Sequence, residues 1–491
     1  MEKTPGCDNI SAEMIKASGD EGVDIYHQLC MKIWNTGTWP IDWKRSIFIP
    51  LPKKGDLQLC SNYRTIALIS HASKILLKIL MNRIKHKLEE EVSLAQAGFR
   101  EGRGTKDHIL NLNILIQKCR DFNSELRVCF IDYSKAFDCV SHQQLWKVLT
   151  DMGFDATTRS LIRQLYEDQE AAVRLENGIS EWFPVEKGVR QGCILSPYLF
   201  SIYTENIMRD VTADERKDDF EELKVNGHLM RDLRYADDTA LLSKTEAGLK
   251  NLVLAVKEHS EKKGLHLNVK KTKILDVDTC RQESVVKVDG ERVENVKSFE
   301  YLGALITADG DCSKEVKRRL AIAARKLQEF RTLLKSSNNT VKLRILHSCI
   351  FPIASYGCEA WTISRNIANR INAFENKCYR TILGVSWTEH RTNESIANEL
   401  GVTSGFLFRF IQKQKLKYFG HLKRHDCLER IVIEGRVEGK RGRGRPKRQW
   451  HEDVVDWLGM TIGGAGRAAE DRTAYRSSVK AATSHVVDRR Q

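Results

Sequence analysis

The stretch "RYADDTALL" (234–242) sets two carboxylates side by side in a run that otherwise reads as a buried strand. Carboxylates are rarely buried unless something pairs with them. In a continuous strand successive side chains point to opposite faces, so Asp237 and Asp238 cannot share a task unless the backbone turns there. The flanks, "DLRYA" before and "TALLS" after, are both strand-like. A hairpin with the aspartates at its tip is therefore predicted. Turn chemistry alone accounts for an isolated Asp-Asp pair, and only a second carboxylate delivered in the same way calls for something more.

That second carboxylate is present. "CFIDYSKAFD" (129–138) is an apolar β-run that ends by delivering Asp132 ahead of a helix-like segment. Oxygen-rich sites of this kind suit Mg2+, which prefers a few carboxylates plus substrate phosphates. Two such ions activate an attacking hydroxyl and stabilise a leaving oxygen in phosphoryl transfer. Three aspartates from two strands can hold them. The charge balance points the same way: 79 Lys and Arg against 65 Asp and Glu leave +14, which favours a polyanionic partner, nucleic acid first. The 13 cysteines contain no C-x-x-C pair and read as reduced thiols of an intracellular protein. No cationic head precedes an apolar run at the start, and no uncharged apolar segment approaches the roughly 18 residues a bilayer span needs. A soluble chain without membrane contact is expected.

At 491 residues there is room for two or three domains, each with its own core. Residues 1–310 mix β-rich runs, "WKRSIFIPL" (43–51), "RVCFIDY" (127–133) and "LHLNVKKTKIL" (265–275), with amphipathic helices. A helix is predicted over 245–263, with Thr245 as N-cap, Leu249, Leu252, Val253 and Val256 on one face, and Gly264 ending it. "VVKVDGERVE" (285–294) carries the Asp-Gly signal of a two-residue hairpin. From 311 to 400 the pattern turns helical, with Val316, Leu320, Ala323, Leu327, Phe330 and Leu334 along one stripe. The last 90 residues read as looser and more basic. Within them "KRGRGRPKRQW" (440–450) interrupts its cations with Gly and Pro and cannot build a core.

Five segments, "FIDYSKAFD", "GVRQGCILSPYLF" (188–200), "YADD" (235–238), "GLHLNVKKTK" (264–273) and "FEYLG" (299–303), resemble, in order, the palm motifs of reverse transcriptases, in the wording of non-LTR (LINE-type) retrotransposons. "PGCDNISAEMIK" (5–16), "IPLPKKGD" (49–56), "NYRTIALIS" (62–70) and "QAGFREGRGTKDHI" (96–109) resemble the fingers segments that precede them. The resemblance covers residues 5–310 and extends weakly through the helical region. It implies an α+β chain with the right-hand polymerase fold: fingers and an α/β palm over 1–310, a helical thumb or connector over 311–400, and a basic nucleic-acid-binding extension over 401–491.

The resemblance also implies roles for single residues. Asp132 and Asp237 would be the main ligands of two Mg2+ ions, with Mn2+ as a substitute, and Asp238 a third carboxylate. Phe137 matches the bulky side chain that closes the sugar pocket against a ribose 2′-OH, though plain core packing also explains it. Gln191 matches the residue lining the incoming nucleotide, in a glycine-bearing segment that otherwise reads as a loop with a helix start at Ser196-Pro197. Lys53 and Arg64 are candidates for holding the triphosphate, a solvated surface charge being the alternative for each. Lys271 resembles the lysine that protonates the leaving pyrophosphate, while a solvated strand face explains it together with Lys270 and Lys273.

In the tail, "RGRP" (443–446) resembles the core of an AT-hook. The same cations serve as a nuclear import signal or as a disordered arm with general phosphate affinity. Under each reading Arg441, Arg443, Arg445, Lys447 and Arg448 touch nucleic acid, and removing residues 436–491 is expected to weaken that binding and spare catalysis. LINE-type proteins usually carry an endonuclease domain, of which no trace is seen here. Cys427, His421 and His425 lack partners at zinc-ligand spacing. The expected function is RNA-directed DNA polymerisation with an RNA template, a DNA primer or target and dNTP. The expected location is the nucleus, with a cytoplasmic ribonucleoprotein stage. The alternatives are a co-opted copy that only binds nucleic acid and a group II intron maturase-type reverse transcriptase.

Overall fold

The computed structural model describes residues 4–53, 55–336, 338–442, 444 and 446–484. The chain is α+β, as expected, and its mixed region is organised around two sheets. In chain order the strands that matter are β1 (Arg45–Pro52), β2 (Tyr63–Leu68), β3 (Arg127–Ile131), β4 (Glu170–Leu175), β5 (Asp232–Tyr235), β6 (Asp238–Ser243) and β7 (Lys273–Asp276). The first sheet pairs β1 antiparallel with β2, bringing Leu51 opposite Arg64, and parallel with β4. The second runs β7-β3-β6-β5, with a two-residue strand, Glu294–Asn295, beyond β7.

Strand β3 is buried along its whole length, which is why its sequence after the ion-paired Arg127 is a continuous apolar run rather than an alternating one. Its residues divide between two cores by the two-residue period of a strand. Val128 and Phe130 join one with Ala240 and Leu242 of β6, while Cys129 and Ile131 join the other with Leu241. Helix α1 (Ser73–Glu91) buries Leu76, Leu77, Leu80 and Ile84 in a third core, beside the first sheet. Helix α2 (Thr105–Asp121) covers the Phe130 face of the second sheet. Helix α3 (Ser196–Thr212) joins α1 through Leu199, Phe200 and Tyr203. Helix α4 (Glu246–Lys262) covers the Cys129 face with Leu249, Leu252, Val253 and Val256. Its start is capped as the sequence predicts, Gly248 N donating to Thr245 Oγ1 at 3.0 Å, and Gly264 follows its end at φ +79°. The Asp-Gly hairpin is also found, with Asp289 and Gly290 both at positive φ between Val288 and Glu291.

One strand expectation fails in part. Of residues 265–275 only the end is strand, β7, and the preceding stretch is a turn. Asn268 is responsible: its amide donates to the Asp132 carbonyl at 2.8 Å, while Lys271 N and Thr272 N both donate back to the Asn268 carbonyl. An Asn that closes a local turn competes with ladder pairing.

The helical stripe is real. Helix α5 (Ser313–Glu329) and the short helix after it bury Val316, Ala323, Leu327 and Leu334, with Leu320 and Phe330 packed alongside. This core takes in α6 (Arg365–Leu383) and runs on to Leu407 and Ile411 at the start of α7 (Phe406–Arg424).

The described residues of the last 90 are mostly helical and packed rather than loose. After α7 come α8 (Leu428–Glu434), α9 (Trp450–Leu458), α10 (Ile462–Glu470) and α11 (Arg472–Ser484). Leu416, Phe419, Val432, Trp450, Val454, Ala469, Tyr475 and Val479 belong to the same core as β3 and α2. Residues 429–450 are strapped along α2: Asn111 donates to Glu429 at 3.0 Å, Lys118 to the Ile433 carbonyl at 2.9 Å, and Gln449 to Asp121 at 2.7 Å. Lys415 and Asp453 form a fully buried ion pair. Lys415 also donates to the Trp361 carbonyl at 2.7 Å, and Asp453 accepts from Ile363 N at 2.8 Å. Such a pair is tolerable only when its remaining bonds are made. The high average charge of this region masks apolar residues at helical spacing. Only 440–447 is an exposed connection, for the residues described there.

The tail is thus part of the fold, and deleting residues 436–491 would strip one face of α2 rather than trim an arm. Trp450→Ala should destabilise the whole protein by about 3–5 kcal/mol, while Lys447→Ala should stay within about 0.5 kcal/mol of wild type. Urea unfolding followed by circular dichroism distinguishes the two; equal midpoints for both variants would mean that α9 is not part of the core.

Candidate active site

The hairpin predicted from "RYADDTALL" is present. Strands β5 and β6 pair with Tyr235 opposite Asp238, leaving Ala236 and Asp237 as the turn. Ala236 sits at φ +58°, a conformation that favours glycine, so the turn needs outside support. The loop 95–98 supplies it. Gln96 Oε1 accepts from Ala236 N at 3.0 Å and from Gly98 N at 2.8 Å. Ala97 N donates to the Arg234 carbonyl, and Arg234 N to the Ala95 carbonyl, both at 2.8 Å. A side chain at Gly98 would bring Cβ within 2.4 Å of Ala236 N, so only glycine allows this approach. Behind the turn, buried Arg234 pairs with Glu205 at 2.8 Å and Asp232 at 2.6 Å.

Asp132 follows the last residue of β3. The register pairs Ile131 with Thr239, and carrying it one step further sets Asp132 against Asp238. Three carboxylates therefore meet at the end of two adjacent strands. Their electrostatics record the crowding. Asp238, exposed as a residue at the mouth of the hairpin, is pushed up to about 6, by partial desolvation of its carboxylate first and then by Asp237 and Asp132. Asp237 is raised by burial and by Asp132, with Arg64 pulling against them. Asp132 is raised by burial and lowered in part by Lys271 and Lys53. Lys271 Nζ stands 3.8 Å from Asp132 Oδ2, yet this oxygen is buried and has no hydrogen-bond partner.

Asp132 and Asp237 line a cavity of about 420 Å3 together with Lys53, Arg64, Lys135, Phe137, Gln191 and Lys271. Asp132 also faces a second cavity of about 320 Å3, with Asp238, Lys270, Lys271 and Lys273. The sequence-derived candidates thus converge, apart from those in the tail. Lys53 and Arg64 come from the ends of β1 and β2, and among the described residues no carboxylate forms an ion pair with either. Gln191 is held by its Nε2 donating to Asp138 Oδ1 at 2.9 Å and by its carbonyl accepting from Ala67 N at 2.7 Å. Phe137 lines the cavity and stacks on Phe200 with ring centres 4.4 Å apart, so its core-packing and pocket readings are both satisfied. Lys271 owes its place over Asp132 to the Asn268 turn rather than to a strand face.

The tail candidates do not join this site. Arg441 and Lys447 are exposed, Arg443 and Arg445 lie outside the described residues, and Arg448 is engaged by Asp453 and Asp456, each at 2.7 Å. Among the wall residues, Tyr63, Phe99, Lys135, Asp138 and Arg190 were missed by sequence reasoning. So was Gln96, whose only signal was its place in "QAGF".

Among the described residues no group of three or more His, Cys, Asp or Glu side chains stands ready-made around a metal ion. The donor set nevertheless fits a hard divalent cation. The orphaned Asp132 Oδ2 and the carboxylates of Asp237 and Asp238, raised by desolvation and then by their carboxylate neighbours, supply oxygen ligands, and Mg2+ habitually takes only one or two carboxylates and completes its shell with waters and phosphates.

A family profile described as reverse transcriptase (RNA-dependent DNA polymerase) matches residues 51–306. The chain is 25% identical over 452 residues to a probable RNA-directed DNA polymerase from transposon BS of Drosophila melanogaster, covering 87% of this chain and 48% of that protein. It is 23% identical over 466 residues to the RNA-directed DNA polymerase from mobile element jockey of the same species, covering 91% and 49%. It therefore spans about half the length of the curated relatives it matches. Among solved structures, apo telomerase from Candida tropicalis is similar at 11% identity and a TM-score of 0.41, over 85% of this chain and 73% of that one.

The raised Asp238 gives a signed expectation. Its folded value, about 6, lies above the roughly 3.9 of an unfolded aspartate, so the folded state binds this proton more tightly. Stability from this group is present at low pH and is lost as pH rises from about 4 through about 6. Asp238→Asn, neutral throughout, should raise the urea midpoint at pH 7.5, with the gain gone by pH 4. An equal midpoint for both proteins at pH 7.5 would mean that neither desolvation nor the neighbouring carboxylates disfavour ionised Asp238 in the fold.

Proposed function

Because the chain belongs to the reverse transcriptase (RNA-dependent DNA polymerase) family, whose profile covers residues 51–306, we propose that it extends a primer 3′-hydroxyl with deoxynucleotides on an RNA template. The observation that carries this is the lining of the 420 Å3 cavity, which brings the carboxylates Asp132 and Asp237 together with the cations Lys53 and Arg64, which no internal carboxylate engages among the described residues. A nucleoside triphosphate calls for both, cations for its phosphate oxygens and neutralised carboxylates near the reacting phosphorus. In this reading the right-hand fold has fingers and palm over 1–310, a thumb over 311–400 and an extension over 401–491.

Asp132 and Asp237 would hold divalent metal, with Asp238 as a third carboxylate, and metal so held supplies charge neutralisation at the reacting phosphate and acidifies the attacking hydroxyl. The chain's own residues do the rest. Arg64 and Lys53 bind the triphosphate oxygens, the guanidinium in bidentate fashion. Gln191, fixed by Asp138 and β2, presents a rigid wall to the nucleotide. Lys271 has its ammonium near Asp132 and is able to pass a proton to the departing pyrophosphate. The bond formed joins the primer oxygen to the α-phosphorus, and the bond broken releases pyrophosphate.

Phe137 would select deoxyribose. A pocket cannot grasp a carbon that bears no hydroxyl, so ribonucleotides must be rejected by shape, which needs a rigid ring. Stacking on Phe200 supplies the rigidity. The template would be RNA and the primer a DNA end, in the nucleus after a cytoplasmic ribonucleoprotein stage, as the relatives' mobile-element origin suggests.

Extension of oligo(dT) on poly(rA) by the purified chain tests the reading directly. Asp132→Asn or Asp237→Asn should slow it by about a thousandfold or more, and Asp238→Asn less. Mg2+ should raise the wild-type melting temperature and leave that of Asp132→Asn unmoved. A chain that binds the primer–template but never extends it would favour the binding-only alternative.

Phe137→Val should keep deoxynucleotide incorporation at a reduced rate while sharply raising ribonucleotide incorporation. Paired single-nucleotide assays report the ratio of kcat/KM for the two sugars. An unmoved ratio in a folded, active variant would reduce Phe137 to a core residue.

A further inference from the structure

Away from the aspartates, α7 and α11 enclose a groove of about 580 Å3 lined by Lys413, Lys417, His421, Arg424, Arg472, Tyr475, Arg476, Val479 and Lys480. It shares no lining residue with the cavities at Asp132. The helices lie in close contact: Tyr475 donates to the Leu416 carbonyl at 2.9 Å, and Gly420 has no side chain where the Tyr475 ring packs, since a Cβ would meet it at 2.4 Å. Tyr475 and Val479 are buried as the floor, and the cations stand along the two walls.

Neither helix contains a single Asp or Glu. Lys413 and Lys417 lie four residues apart on α7, and Arg472, Arg476 and Lys480 repeat the same interval on α11, so each row places a positive charge about every 6 Å. Like charges at this spacing repel and destabilise a helix. Among the described residues none of these five forms an ion pair, whereas Lys423 near the end of α7 pairs with Glu434, and Arg430 on α8 stands near Asp426. Arg424 alone is engaged, donating to the Ala469 carbonyl at 2.6 Å.

Two rows of unneutralised cations flanking a narrow trough match one kind of occupant, a chain with regularly spaced anions. We propose that the α7–α11 groove binds the phosphodiester backbone of a nucleic-acid strand, outside the polymerising cavity and without reading its sequence. Tyr475 is too buried to stack on a base, and no side chain of the rim is placed to read base edges in preference to phosphates. Within the 440–448 stretch Arg448 is already committed to Asp453 and Asp456.

The test is fluorescence anisotropy with the full-length chain and two labelled probes, a single-stranded RNA and a duplex DNA of unrelated sequence, across a salt series. The triple variant Lys417→Ala, Arg476→Ala, Lys480→Ala should lose about tenfold or more in affinity, and its slope of log affinity against log salt should fall by about 2 to 3. Arg441→Ala with Lys447→Ala should change both quantities less. Extension of saturating primer–template by the triple variant should match wild type, which separates this inference from the polymerase reading. Replacing Lys417 and Lys480 by Arg should preserve binding. Unchanged affinity and slope in a triple variant with the wild-type urea midpoint would overturn the proposal. So would loss of binding to phosphatidylserine vesicles with nucleic-acid binding intact, which would assign the groove to a membrane surface.

Discussion

Three carboxylates held together against their own repulsion are the constraint around which the mixed region is arranged. Nothing local favours the arrangement: β3 and β6 bring Asp132 and Asp238 to the same strand ends, and the turn adds Asp237. What holds them is a set of interactions that do not touch them. Strand β3 is clamped between two cores, Gln96 and Gly98 press the turn from outside, and Arg234 anchors the hairpin through Glu205 and Asp232. All three groups are shifted upward, with desolvation leading in each, and at Asp237 and Asp238 the neighbouring carboxylates add to it. A site built this way has no need to rearrange when a cation arrives, because the framework has already met the cost of assembling the ligands.

Much of this was legible in the sequence, for reasons that differ from element to element. The hairpin could be read because two strand-like flanks and an Asp-Asp turn leave the chain few options. Helix α4 carried its cap, its stripe and its terminating glycine in plain order. That Asp132 shares a site with Asp237 and Asp238 is expected from the two strand ends, but the register that sets Asp132 against Asp238 is not legible, because pairing between β3 and β6 depends on packing across both faces of a sheet. Gln96 was invisible for a similar reason: its task is a hydrogen bond to a residue 140 positions away. The turn at Asn268 was taken for strand because its apolar and basic neighbours mimic a two-residue alternation.

The end of the chain was misjudged through averaging. A window counts Lys and Arg, and the count is high, but Leu416, Phe419, Trp450, Val454, Tyr475 and Val479 recur at helical intervals between the charges. Charge density and core formation are compatible when the cations occupy one side of a helix. Helix α7 illustrates it, with Lys413 and Lys417 exposed while Lys415, between them, is sealed against Asp453, Trp450 and Trp457.

The exposed connection at 440–447 lies between two stretches that share a core with α2, and the Lys415–Asp453 pair bridges them from the inside. Cutting the backbone in that connection would therefore not release a fragment. The nicked chain would behave as two polypeptides, one ending near α8 and the other beginning near α9, that stay associated through the ion pair and the surrounding apolar contacts. They would run together on a sizing column and come apart only in denaturant. Covalent continuity there is a matter of assembly kinetics, since it keeps the last helices at high effective concentration while the core forms.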